Sequence, residues 1–235
     1  GGLATAASLN YPFGVALDAQ DNVYVVDSGR KAIDVFSPTD APIRTITHER
    51  LERPTGLAID APRHRLYVAD SATSASPTRT VKVFDLEGRL LSVVGEGEGP
   101  RLLSPTYVAV DAEGRLYVTD TLGAQIHVFD AEGRYVKTVG ERGDAFGMFD
   151  KPKGVALDRY GNLYVADSAW SNVQIFNSAG AALLFFGGRG AAPGLLFNPA
   201  GLAIDAEDRI FVADAFNSRV SVYELVNGTI QEGDT

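Results

Sequence analysis

Short apolar runs, grouped in fours, dominate the chain from residue 11 onward. "GVALD" (14–18) is followed by "VYVVD" (23–27), and both are continuous runs with little alternation, which predicts strands buried on both faces. The third run of each group alternates. Val173 and Ile175 flank Gln174, and Ile126 and Val128 flank His127, so this strand is expected to pack one face and leave the other partly wet. A fourth run follows, as "LLSVVG" (90–95), "YVKTVG" (135–140) or "ALLFFG" (182–187). The connections into it, "LEGR", "AEGR" and "SAGA", carry a glycine where a tight hairpin needs positive φ.

The groups are copies of one another. Their openings read "YPFGVALD" (11–18), "RPTGLAID" (53–60), "SPTYVAVD" (104–111), "KPKGVALD" (151–158) and "NPAGLAID" (198–205). The opening prolines lie 42, 51, 47 and 47 residues apart. A period of that length without a helical signal predicts an all-β propeller of five recognisable four-stranded blades, starting near residues 11, 53, 104, 151 and 198. The strands are labelled a to d within each blade. The glycines of "GERGDAFGMFDKP" (140–152) and "GGRGAAPGLLFNP" (187–199) precede a proline and a strand, not a helix, which marks blade-to-blade crossovers rather than phosphate loops. Blade two carries five extra residues after Asp70, and Tyr107 stands where other blades have glycine. The "VNGTIQEGDT" stretch after Tyr223 is expected to give a weak final strand d.

Composition narrows the function. A net charge of -9 argues against a nucleic-acid partner, which needs a basic face. No cysteine is present, so thiolate metal sites and disulfides are excluded. No apolar run approaches the roughly 20 residues of a spanning helix. Much of the acidity is repeated architecture. Asp18, Asp60, Asp111, Asp158 and Asp205 end strand a, and Asp27, Asp70, Asp120, Asp167 and Asp214 end strand b. Such carboxylates are expected to accept backbone N–H bonds in the next turn, because a residue repeated in every blade serves the fold before it serves a site. The column Tyr24, Tyr67, Tyr117, Tyr164 and Phe211 is expected to pack between blades.

The Pro-x-Gly opening, the Tyr-Val-Ala-Asp strand, the Gly-rich lead-in with Phe149 or Phe197, and the tail "DAFNSRVSVY" (214–223) resemble NHL repeats over about residues 11 to 225. That family is usually six-bladed, so the resemblance implies that up to one blade of a single domain over 1–235 lies outside this sequence. The chain opens at Gly1 rather than methionine, so the expectation is either that a processed segment is gone or that the numbering begins inside a longer protein.

Similar propellers include lyases that hold zinc with histidines from several blades. His48, His64 and His127 fall in a d–a connection, an a–b hairpin and mid-strand c, three unlike places, so no metal site and no cofactor is expected. Lactonase-like propellers hold Ca²⁺ with acids and amides after the blade-opening prolines. Here those positions are Phe13, Thr55, Thr106, Lys153 and Ala200, none of them an acid or amide. The reading reached is a non-catalytic protein-interaction scaffold that binds through the face shared by the b–c and d–a loops. Trp170, Phe216, Leu122, Arg30 and Lys31 are the expected contacts. Arg219 is expected to be a structural donor. The resemblance places such modules outside the cytoplasm of bacteria, some in cell-surface or redox assemblies. Two alternatives stand beside it: a propeller enzyme with a metal in the channel, and an RNA-binding NHL domain.

Overall fold

The structure is a computed structural model describing residues 9–72, 79–226 and 229–232; the extra residues of blade two fall outside these. The first sheet contains β1 (Pro12–Leu17), β2 (Val23–Asp27), β3 (Ala32–Phe36) and β4 (Pro42–Thr47). The second contains β5 (Pro54–Asp60), β6 (Arg65–Asp70), β7 (Thr80–Asp85) and β8 (Leu90–Val94). The third contains β9 (Pro105–Val110), β10 (Leu116–Asp120), β11 (Gln125–Phe129) and β12 (Tyr135–Val139). The fourth contains β13 (Pro152–Leu157), β14 (Leu163–Asp167), β15 (Asn172–Phe176) and β16 (Ala182–Gly187). The fifth contains β17 (Pro199–Ile204), β18 (Ile210–Asp214), β19 (Arg219–Val226) and β20 (Thr229–Glu232). Each sheet keeps sequence order, so every blade is a simple meander. Helix among the described residues amounts to one 3₁₀ turn, Ala215–Asn217. The architecture is that of a five-bladed β-propeller, as the period predicts.

The chain divides into two compact units. One runs to Val118 and includes 129–136; the other holds 119–128 and everything from Lys137 onward, so the division passes through the third sheet. In the first unit, Tyr24 and Val26 pack against Leu57, Leu66, Val68 and Phe84 of the second sheet. Tyr67, Ala69, Val81 and Val83 pack in turn against Val108, Leu116, Val118 and Phe129. In the second unit, Tyr164, Ala166, Val173 and Ile175 meet Leu202, Ile210, Val212 and Tyr223. The apolar runs of strands a and b are thus explained: a blade between two others buries both its faces.

The Pro-x-Gly opening sets how close successive sheets come. The register of β13 with β14 shifts between Pro152 and Val155, and β1, β5 and β17 shift at the same place. The strand bulges there, and the bare face of the glycine admits the backbone of the next sheet. A methyl group placed on Gly154 would lie 2.3 Å from the Ala200 carbonyl oxygen; on Gly56 it would lie 2.5 Å from that of Thr106.

Two expectations are corrected. Strand c is not partly wet: Asp34, Lys82, His127 and Gln174, the polar residues at its centre, are all buried. Each polar group is met inside its own sheet or by the crossover lying on it, so burial costs little. Strand a is not buried on both faces in the first blade. Val15 and Leu17 of β1 are exposed, where Leu57 in the second sheet is buried, and Phe13 is exposed as well.

Gly154→Ala should therefore destabilise the protein by about 2 kcal/mol or more, since the new methyl strikes backbone. Gly201→Ala, at the equivalent place in the fifth sheet, should cost under about 0.5 kcal/mol, because its methyl would meet only the Ala213 side chain at 3.6 Å. Urea unfolding of the two variants at low protein concentration distinguishes them.

Candidate functional site

The loops at the strand b ends are held by buried carboxylates. The Asp167 side chain, fully buried, accepts the N–H groups of Ala169 and Trp170 at 2.9 and 3.1 Å. It also accepts that of Asp150 at 2.8 Å, in the crossover arriving from the third sheet. Asp27 joins Asn10 N–H (2.7 Å) to Arg30 N–H (3.0 Å), and Asp70 takes Glu52 and Arg53 N–H at 3.0 and 2.7 Å. Asp214 takes Phe197 N–H at 2.7 Å, together with the side chains of Asn217 and Arg219. One acid thus fixes a b–c turn and a d–a connection at once, which puts both loops on a common face within each unit. The strand a aspartates do the simpler job expected of them. Asp158 accepts Tyr160 and Asn162 N–H, and Asp205 accepts Glu207 and Arg209 N–H, closing the a–b hairpins.

On this rigid frame the b–c turns present their side chains. Leu122 (62% exposed), Trp170 (41%) and Phe216 (66%) stand on the three successive turns of the second unit. Crossovers brace each from below. Arg142 donates to the Leu122 carbonyl at 2.8 Å, the Trp170 indole N–H donates to the Gly143 carbonyl at 3.3 Å, and Phe216 packs edge-on against Phe197. Arg219 is the structural donor the sequence suggests, reaching the carbonyls of Ala191, Ala192 and Leu195. Arg30 and Lys31 occupy the corresponding turn of the first unit. Arg30 is committed to Asp34 at 2.7 Å, and Lys31 pairs with Glu52 at 3.4 Å.

Sequence reasoning missed two features of the second unit. Phe146 of the crossover and Phe185 of β16 form an exposed ring pair 5.8 Å apart. Beside Phe146 a cavity of about 440 Å³ opens between the crossover and the edge of the third sheet, lined by Gln125, Thr138, Glu141 and Met148. The alternation in "LLFF", which sends Leu183 and Phe185 outward, was the available signal for the ring pair.

The histidines fall where the repeat places them. His48 follows β4 and packs edge-on against Phe84; His64 takes a positive φ in the β5–β6 hairpin; His127 lies mid-β11. Among the described residues no three His, Cys, Asp or Glu side chains are grouped so as to hold a metal ion. His127 Nδ1 shares a hydrogen bond with the Thr138 hydroxyl at 2.9 Å, and Nε2 lies 3.8 Å from Asp120. Burial lowers its pKa, and the Asp120 carboxylate offsets that only in part. Lys153 is lowered too, by burial and by the charge of Lys151. Burial pushes the Tyr117 phenol up to about 12, so it remains a donor to Asp111 at 3.2 Å.

No family profile matches the chain, and no curated protein is similar to it in sequence. Solved structures are similar in fold. A catalytically inactive virginiamycin B lyase from Staphylococcus aureus, with quinupristin, superposes with a TM-score of 0.71 at 12% identity, over 97% of this chain and 71% of that one. A Bacteroides thetaiotaomicron protein of unknown function gives 0.73 at 18%, over 97% of this chain and 58% of that one, so this chain spans under two thirds of its length. A chain of the nidogen/laminin complex gives 0.73 at 22%, over 96% and 79%. The likeness is one of fold, and the fold is the β-propeller.

Two outcomes are expected. Asp167→Ala leaves the N–H groups of two loops without their shared buried acceptor and should cost about 2 kcal/mol or more in urea unfolding. The second concerns pH. The folded state holds His127 below its ordinary value of 6.5, so on acidification the unfolded chain takes up the proton first and stability falls. Between about pH 7.5 and about pH 5.5 the melting temperature of the wild type should fall further than that of His127→Gln.

Proposed function

We propose that this propeller is a non-catalytic protein-interaction module of the NHL type, working outside the cytoplasm, and that it binds through the loop face of its second unit. The observation that carries the reading is the placement of Leu122, Trp170 and Phe216. Three large apolar side chains stand exposed on successive turns whose backbones are fixed by buried or crossover-borne hydrogen bonds. Apolar side chains held rigidly in water lose little entropy on docking, and aromatic ones are the usual anchors of interfaces.

The repeat sequence supports the NHL assignment, and the similar chain in the nidogen/laminin complex supports protein binding as a use of this fold. The lyase among the similar structures keeps an enzyme in view. Within this chain, however, the buried acids are occupied by backbone N–H groups, and the His127 imidazole is already bonded to Thr138. Arg30 and Lys31 lie in the first unit and are engaged with Asp34 and Glu52, so they are not assigned to this face.

Trp170→Ala should weaken capture of the partner by about 1–4 kcal/mol and leave the melting temperature nearly unchanged, since the indole covers a loop and not the core. Capture from extract of the source cells, compared between the wild type and the Leu122→Ser and Trp170→Ala variants, is the check. Equal capture together with a marked loss of stability would make Trp170 a packing residue and remove the proposed face.

A further inference from the structure

We propose that the cavity beside the crossover between the third and fourth sheets binds a small organic ammonium ion that carries an aryl or alkyl body. The cavity holds about 440 Å³, a volume suited to a small ligand. Its lining is of two kinds. Phe146 and Met148 offer a ring and a thioether, and Glu141, Gln125 and Thr138 offer polar groups. The Thr138 hydroxyl is shared with His127. The Glu141 carboxylate is exposed, and no cation among the described residues pairs with it. Its neighbour Arg142 is committed to Asp150 at 2.9 Å and to the Leu122 carbonyl at 2.8 Å. Asp144, exposed and likewise without an ion pair among the described residues, adds a second negative charge to the same crossover.

The fold does not ask for these side chains, because the crossover at 187–199 has the same backbone frame without them. Gly143 N–H donates to the Phe149 carbonyl at 3.0 Å, and Gly190 N–H donates to that of Leu196 at 3.0 Å. Phe149 and Leu196 N–H donate back to the carbonyls of Glu141 and Gly188, each at 2.8 Å. Met148 N–H meets the Ala145 carbonyl as Leu195 N–H meets that of Ala192. In this matching frame Glu141 stands where the other crossover has Gly188, and Phe146 where it has Pro193. The carboxylate and the ring are thus left for a ligand. The wall that bears them is also fixed beforehand. Gln174 accepts Gly147 N–H at 2.9 Å and donates to the Met148 carbonyl at 2.8 Å, so little order has to be gained on binding.

Charge and shape together select the ligand. A carboxylate that lacks a cation attracts an ammonium group, and a net charge of -9 favours its approach. The face of Phe146 can receive the same charge. Met148 and the ring of Phe146, extended outward by Phe185 at 5.8 Å, take the apolar body. An anion would meet the charges of Glu141 and Asp144, and a neutral ligand would gain nothing from either. The site uses none of Leu122, Trp170 and Phe216 and does not rest on the binding face proposed above.

An NMR titration of the whole chain with phenethylamine tests this, run beside phenethyl alcohol and phenylacetate, which carry a similar body with a neutral or an anionic end. The amine should give saturable shifts at the amides of Gly140, Glu141, Gly147 and Met148, with a dissociation constant below about 10 mM. The alcohol should bind about threefold more weakly or worse, and the acid should not bind measurably. Glu141→Gln should bring the amine down to the level of the alcohol, whereas Phe146→Ala should weaken both. Both residues are exposed and neither side chain holds the crossover's frame, so each variant should fold, which the dispersion of its spectrum verifies. Absence of a saturable shift at those amides overturns the proposal. So does equal binding of the three compounds, or a preference for the amine that survives in Glu141→Gln.

Discussion

The structure depends on an aspartate buried at the end of strand b. A carboxylate removed from water is costly unless its lone pairs are filled. Here they are filled by N–H groups from two loops that are distant in sequence, as when Asp167 bonds Asp150 and Trp170 together. The requirement works in both directions. The acid needs the N–H groups because it is buried, and the loops, short and poor in regular structure, need the acid to satisfy their donors. Each crossover is thereby fastened to the turn beside it. The exposed side chains of those turns can then be apolar without the loop collapsing onto the sheet.

Strand order, blade limits and the hairpins were legible in the sequence because each has a local cause. Proline opens a strand, glycine closes the c–d hairpin with positive φ at Gly88, Gly133 and Gly180, and aspartate ends strands a and b. The final strand d after Tyr223 was legible too, and β20 pairs with β19 there. The interior of strand c was misread for a physical reason. Alternation of apolar and polar residues means a wet face only if nothing else covers that face. Gln174 is covered by a crossover whose Gly147 N–H it accepts and whose Met148 carbonyl it bonds, and the period of a strand carries no trace of such a loop.

The candidate face was legible in part. Trp170, Phe216 and Leu122 stood out because the repeat does not require a large apolar residue in a turn, and the structure leaves all three exposed. The Phe146 and Phe185 pair was legible only by half: the alternation of β16 turns Phe185 outward, but the crossover residue that meets it belongs to the preceding connection and nothing local marks it. The ion pairs of Arg30 and Lys31 were hidden likewise. A basic dipeptide in a turn looks free until the acids opposite it, Asp34 and Glu52, are placed.

The centre of strand c bears on how such a chain can change. The five sheets share one plan, yet in the first four that position holds Asp34, Lys82, His127 and Gln174, and the groups that satisfy it differ from sheet to sheet. Asp34 takes Arg30 and Thr45, Lys82 pairs with Asp70 and Thr80, and Gln174 grips its crossover. A strand exchanged between repeats by unequal recombination would arrive with a buried polar group and leave its partners behind. The copies are thus interchangeable in outline and private in their interiors, which guards the array against being shuffled by its own similarity.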